Sequence, residues 1–261
     1  MDSMQFDPSL YLAEADLPGD AVPPDLLILN QPIASFEIFA RLWKHSIYRI
    51  CADGGANRLY DMFKGPLEVR RVAFLPDAIH GDLDSLREDV RSYYTSHGVV
   101  ATQDHDQYST DFGKAMGKIS TRQSPSPRRE ILVLGTLAGR VDQGLGLLHE
   151  MIREETEHPH FRLWLFSESS VSFILRSTNN LIQGTSSSRM FTPNVGLLPI
   201  YGPAIISTTG LEWDVKVWDT QMGYQVSTSN HVVAEEIQVR TNAPILFTIE
   251  RAELPEEGIA K

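Results

Sequence analysis

Aspartate recurs in this 261-residue chain where an apolar run gives way to a polar turn: Asp53 in ADGGAN, Asp82 and Asp84 in GDLDS, Asp106 and Asp111 in DQYSTD, and Asp142 in LAGRVD. Hard carboxylate oxygens in twos or threes suit Mg²⁺, which completes its octahedron with waters and substrate phosphates. Asp82 and Asp84 flank Leu83, so an extended chain would turn both carboxylates one way and the leucine into the core. The same pair could instead cap a following helix. Asp53-Gly54-Gly55 ends a strand and opens a helix, where glycines let a backbone approach anionic oxygens, although a plain tight turn explains them equally. Thr110, Asp111 and Lys114 share a helix face by their i to i+3 and i to i+4 offsets, which suits metal and phosphate together or a capped helix with a surface ion pair. Arg140, in a loop with Gly135 and Gly139, could clamp phosphate beside Asp142 or simply stand in solvent. No G-x-x-x-x-G-K-[ST] loop occurs, which excludes a Walker-type kinase.

Loops of this kind need strands and helices in alternation to hold them. Residues 26–29 form a short apolar run, and Phe36, Phe39, Ala40 and Trp43 follow at helical spacing behind Ser35, placed to cap them. Tyr48 to Ala52 is strand-like, and Ala56, Leu59, Tyr60 and Phe63 repeat the helical spacing before Gly65. Ser85 and Glu88 have capping-box spacing and predict a helix from Ser85 to about Gly98. Phe112, Ala115, Met116 and Ile119 mark another helix, residues 131–134 a buried strand, and Val141, Leu145, Leu148 and Ile152 a further helical stripe. This alternation implies a parallel sheet, with ligands expected beyond the carboxyl ends of its strands, where all four acidic loops would converge. The proline- and serine-rich residues 124–129 (SPSPRR) read as an inserted loop.

After Phe161 to Phe166 the texture changes to period-two runs: Val215 and Val217, Ile237 and Val239, then Ile245, Phe247 and Ile249. The fold class expected is therefore α/β, an N-terminal parallel-sheet α/β domain (residues 25–169) followed by an all-β sandwich (residues 170–261). Residues 1–24, proline-punctuated and without periodicity, read as an extended arm.

Composition narrows the function. With 34 acidic and 23 basic side chains the net charge is −11, which repels a nucleic-acid backbone. No apolar stretch reaches the ~20 residues of a membrane span, and the acidic N-terminus lacks the features of a signal or transit peptide. Cys51 is the single cysteine, so no bridge forms within the chain, and a cytoplasmic location is expected. Eight histidines include no H-x-x-x-H pair, which argues against zinc.

The segments ADGGANRLYD (residues 52–61), GDLDS (81–85), DQYSTDFGKA (106–115), LAGRVDQ (137–143), TTGLEWDV (208–215) and VSTSN (226–230) resemble, in order, the motifs of the thiamin pyrophosphokinase family. LILNQP (27–32) resembles that family's first strand. The resemblance implies transfer of the pyrophosphoryl group of ATP to the hydroxyethyl oxygen of thiamin, giving thiamin diphosphate and AMP with Mg²⁺, in a homodimer with shared active sites. It implies that Asp82, Asp84 and Asp111 hold the metal and, with Asp53, form the catalytic set. Gly54, Gly55, Asn57, Gln107, Thr110, Lys114, Arg140 and Asp142 would meet ATP, and Trp213, Ser227, Ser229 and Asn230 would meet thiamin. The α/β domain would then take ATP and Mg²⁺, and the sandwich thiamin, whose cationic thiazolium suits an aromatic face. Asp53, Asp82 and Asp111 could each take the hydroxyl proton. Two other readings compete: a metal-dependent nucleotidyl or sugar-phosphate transferase using Asp82 and Asp84, which leaves TTGLEW and STSN without a role, and a non-catalytic binding module, which leaves the aspartates unexplained.

Overall fold

The computed structural model describes residues 3–123, 126–176, 178–186 and 189–253, so Ser124 and Pro125 of the expected insertion lie outside the described residues. The chain divides into two compact units, Pro18–Glu168 and a second made of Met1–Leu17 with Ser169–Lys261. A short strand, β1 (Met4–Phe6), opens the chain and belongs to the second unit.

The first unit alternates β2 (Asp25–Ile28), α1 (Phe36–His45), β3 (Tyr48–Ala52), α2 (Gly55–Met62), a 3₁₀ segment (Gly65–Ala73), β4 (Ala78–Gly81), α3 (Glu88–Ser96), β5 (Val100–Gln103), α4 (Asp111–Ser120), β6 (Arg129–Leu134), α5 (Val141–Glu157) and β7 (Phe161–Phe166). The strands pair in parallel in the order β7-β6-β2-β3-β4-β5. Sequence explains much of this. Ser35 caps α1 by accepting from the Ile38 N–H, and Phe39, Leu42 and Trp43 are buried at helical spacing. In α4 the apolar stripe Phe112, Ala115, Met116 and Ile119 joins Ile50, Ile131 and Leu163 in one core.

Three local expectations fail here. First, α3 begins at Glu88, because Ser85 is drawn into a loop: its N–H donates to Asp53 Oδ2 and its hydroxyl to Asp84 Oδ1. Second, Leu83 is not extended but left-handed (φ 63°), so the alternation expected of an extended Asp82-Leu83-Asp84 is replaced by a turn in which the Asp84 N–H donates to Asp82 Oδ1. Third, the buried face of α5 is turned roughly a quarter-turn from its aliphatic stripe, of which Leu148 and Ile152 are only half-buried. Val141 and Leu145 are exposed, whereas Leu147, Met151, Glu150, Glu154 and Glu155 are buried. The acids are tolerated because Arg153 pairs with Glu150 (2.6 Å) and Glu154 (3.1 Å), and Glu155 accepts from the Leu163 N–H.

The second unit is a sandwich. It is built from β1, β8 (Ser170–Leu175), β9 (Thr178–Ile182), β10 (Phe191–Leu198), β11 (Ala204–Thr209), β12 (Trp218–Thr220), β13 (Ser227–His231), β14 (Ile237–Thr241) and β15 (Ile245–Arg251). One sheet runs β1-β9-β14-β11-β12, and β13-β10-β15-β8 faces it. Phe6 of one sheet stacks on Phe173 of the other at 5.1 Å, and Phe173 meets Phe247 at 5.2 Å. The segment expected to be a bare arm is thus partly structural: Met4 to Phe6 pair in parallel with Asn180 to Ile182, and Tyr11 and Leu12 are buried. Val215 and Val217 are not strand residues, since Val217 turns left-handed (φ 49°) just before β12.

Candidate active site

Because β3, β4 and β5 are consecutive neighbours about 5 Å apart, the segments leaving their carboxyl ends must crowd together. Asp53 follows β3, Asp82 follows β4, and Asp111 opens α4 after β5. One carboxylate oxygen from each lies within 4.8 Å of the other two. Close approach depends on Gly81: a Cβ there would stand 2.7 Å from Asp111 Oδ1 and 2.8 Å from Asp53 Cβ. Asp53 itself is left-handed (φ 41°), a conformation a non-glycine residue keeps only when its surroundings enforce it.

The three carboxylates differ in environment. Asp53 is 1% exposed; its Oδ2 accepts from the Ser85 N–H at 3.1 Å, and its Oδ1 is buried with no protein partner. Burial, aided by the nearby Asp111 and Asp82 charges, raises its pKa to about 6 despite the Ser85 hydrogen bond. Asp111 is also raised, chiefly by burial, and its Oδ1 accepts from the Asp82 N–H. For Asp82 burial acts upward, but the Asp84 N–H and the Lys114 ammonium hold it below the ordinary carboxylate range. Lys114 Nζ lies 3.1 Å from Asp82 Oδ2. Three hard carboxylate donors within 4.8 Å, one of them carrying a buried oxygen without a hydrogen-bond partner among the described residues, fit a divalent cation of the Mg²⁺ type.

The remaining ATP candidates stand at different distances from this cluster. Asp84 is exposed; its Oδ1 accepts from the Ser85 hydroxyl and its N–H donates to Asp82 Oδ1. Gly54 and Gly55 admit close packing, since a Cβ on Gly54 would strike the Asn30 amide and one on Gly55 the Ile28 carbonyl. Thr110 caps α4 by accepting from the Gly113 N–H at 3.1 Å. Gln107 is exposed in a turn that Asp106 organises by accepting from Tyr108 N–H and Ser109 Oγ. Arg140 and Asp142 pair with each other at 2.6 Å at the start of α5. Their loop leaves β6, which pairs with β2, so one strand separates it from the three loops after β3, β4 and β5. It stands at the point where the sheet order reverses, between β2 and β6. Asn57 spends its amide on the backbone of residues 85–87.

In the second unit Trp213, Ser227, Ser229 and Asn230 share one cavity of about 320 Å³, with Thr208, Trp218 and Thr228 also in its lining. Trp213 is 54% exposed, and it is held from behind: Asn230 Oδ1 accepts from the Trp213 N–H and Nδ2 donates to the Trp213 carbonyl. Sequence reasoning missed Trp218, Gly81 and Ser85. Gly81 and Ser85 lie inside the GDLDS segment, whereas nothing in the spacing marked Trp218.

Comparison with known proteins returns two family models, "Thiamin pyrophosphokinase, catalytic domain" over residues 39–164 and "Thiamin pyrophosphokinase, vitamin B1 binding domain" over residues 180–246. The chain is 37% identical to thiamine pyrophosphokinase 2 of Arabidopsis thaliana, over 86% of this chain and 85% of the relative. It is 38% identical to thiamine pyrophosphokinase 3 of Oryza sativa subsp. japonica, with 86% and 85% covered. The crystal structure of yeast thiamin pyrophosphokinase superposes with a TM-score of 0.85 at 28% identity, covering 95% of this chain and 91% of that one.

Proposed function

The chain belongs to the thiamin pyrophosphokinase family, and on that premise we propose that it transfers the pyrophosphoryl group of ATP to the hydroxyethyl oxygen of thiamin, releasing AMP and thiamin diphosphate. The observation that carries this reading is the convergence of Asp53, Asp82 and Asp111 with a buried lysine at the carboxyl ends of β3 to β5.

Asp53, Asp82 and Asp111 are the residues that would hold Mg²⁺, which when bound neutralises phosphate charge and acts as a Lewis acid. Attack by the thiamin hydroxyl on the β-phosphorus forms the new O–P bond and expels AMP, a displacement that needs alignment and charge compensation more than covalent help. Lys114 and Arg140 supply positive charge for the phosphates, and the cap residue Thr110 and the glycine pair Gly54-Gly55 let backbone N–H groups approach them. The hydroxyl proton needs an acceptor. Asp53, Asp82 and Asp111 are the carboxylates of the cluster that could take it.

Thiamin fits the cavity lined by Trp213, Ser227, Ser229 and Asn230, where an indole face suits the thiazolium cation. Homodimer formation is supported by the apolar residues Val141 and Leu145 on α5, both exposed among the described residues. A cytoplasmic setting is supported by the lone buried thiol of Cys51. Among the described residues no helix is long and apolar enough to cross a membrane.

The test is product analysis. Purified protein with ATP, Mg²⁺ and thiamin should yield AMP and thiamin diphosphate in equal amounts. ADP with thiamin monophosphate would overturn the pyrophosphoryl assignment.

A further inference from the structure

Two side chains of α2 one turn apart, Asn57 and Asp61, grip the loop that carries Asp82. Asn57 Nδ2 donates to the Ser85 carbonyl at 2.7 Å, and its Oδ1 accepts from the Arg87 N–H at 3.1 Å. Both ends of the amide are thereby used on one three-residue stretch of backbone. Asp61, at i+4 on the same face, takes the Arg87 guanidinium in a two-pronged pair, 2.8 Å to each oxygen. The stretch so held is the one whose Ser85 N–H reaches Asp53 Oδ2. Two residues before that stretch, Leu83 stands in a left-handed turn, which a leucine does not adopt unaided. On the other flank the Gln103 amide donates to the Asp82 carbonyl at 2.7 Å.

Asp53 follows β3 and stands two residues before α2 begins, so the helix carrying the grip is continuous in chain with one carboxylate and bonded to the loop bearing another. We infer that Asn57, supported by the Asp61–Arg87 pair, is a positioning residue that sets the spacing of Asp82 from Asp53, and not a ligand of the nucleotide. Its amide has one donor direction and one acceptor direction already aimed at backbone, and the residue is buried. This inference rests on the proposal that the three aspartates hold a divalent cation. Its consequence follows from outer-shell behaviour elsewhere: loosening groups that orient ligands weakens metal binding without removing a ligand.

The experiment is a Mn²⁺ titration followed by electron paramagnetic resonance, without nucleotide, on the full chain. Asn57→Ala is expected to bind Mn²⁺ about 10- to 100-fold more weakly than wild type, to need correspondingly more Mg²⁺ in turnover, and to keep the wild-type KM for thiamin and the wild-type affinity for metal-free ATP. Arg87→Lys, which keeps the charge but loses the fork on a partly exposed side chain, should move in the same direction by less. It decides the matter should Asn57→Ala not fold. Unchanged Mn²⁺ affinity in the variants, or a loss of metal-free ATP binding in Asn57→Ala, would overturn the positioning role. A wild-type chain that binds no Mn²⁺ would instead overturn the metal reading on which it rests.

Discussion

Lys114 Nζ lies 3.1 Å from Asp82 Oδ2 and 3.8 Å from Asp111 Oδ1, with its side chain 2% exposed. One buried ammonium thus faces two of the three clustered carboxylates, and this lets the acidic site fold without an added cation. Removing one partner of such a pair leaves uncompensated charge behind.

Lys114→Met should therefore lower stability in EDTA by about 1–3 kcal/mol, toward the lower end because Asp82 remains 41% exposed. Saturating Mg²⁺ should restore more of the lost stability than it adds to wild type. Thermal melts with and without Mg²⁺ measure both quantities, and equal metal responses in the two proteins would contradict the account.

Asp53 gives a pH dependence whose sign is fixed. The folded chain keeps the proton up to about pH 6, whereas an ordinary aspartate releases it near 3.8. A proton held more tightly by the folded state stabilises it; that contribution is complete below pH 3.8 and is lost as pH rises through about 6. The span corresponds to roughly 3 kcal/mol. In EDTA, Asp53→Asn should match wild type at low pH and melt higher above pH 7 on that ordering. Parallel melting curves across the range would show that Asp53 titrates normally. Divalent-cation affinity of the wild-type chain should fall as pH drops through the same window, since bound metal requires the carboxylate.

Gly81→Ala tests the crowding of the cluster directly. The new methyl carbon would meet the Asp111 carboxylate and the Asp53 Cβ at under 3 Å, so one of the two must move. The expected result is a loss of about 1–3 kcal/mol in stability, typical of overpacking, together with a raised Mg²⁺ requirement in turnover. Wild-type metal dependence would mean the site tolerates wider spacing than its geometry implies.

How far the sequence could be read depended on whether an element answered to local or distant forces. Ser35 and the Phe36–Phe39–Trp43 spacing marked α1 because cap and stripe are local, and the run Tyr48 to Ala52 matched β3 residue for residue. The position of three acidic loops followed from alternating strands and helices. What was hidden depended on partners far along the chain. Leu83 turns left-handed in a loop held by Asp53 and Asn57, and no property of leucine announces that. The buried face of α5 includes Glu150, Glu154 and Glu155 beside Leu147 and Met151, so counting aliphatic residues places it roughly a quarter-turn off. Met4 to Phe6 become a strand only by pairing with Asn180 to Ile182. That β2 stands between the Arg140 loop and the other three follows from strand order, which periodicity does not encode.

Trp213 allows the two proposed substrates to be separated. Its ring borders the cavity of the sandwich while Asn230, through both ends of its amide, fixes the backbone on which it stands. If the indole contributes a cation–π contact of ~0.5–2 kcal/mol to the thiazolium, Trp213→Ala should raise the KM for thiamin by roughly 2- to 30-fold. Trp213→Phe, which keeps an aromatic face, should recover part of that loss. Asn230→Ala should raise the same constant through misplacement of the ring. None of the three should alter the KM for ATP, because the groups assigned to its phosphates belong to the other unit. Steady-state kinetics with each substrate varied in turn decides the point: a change confined to ATP would remove Trp213 from the thiamin site.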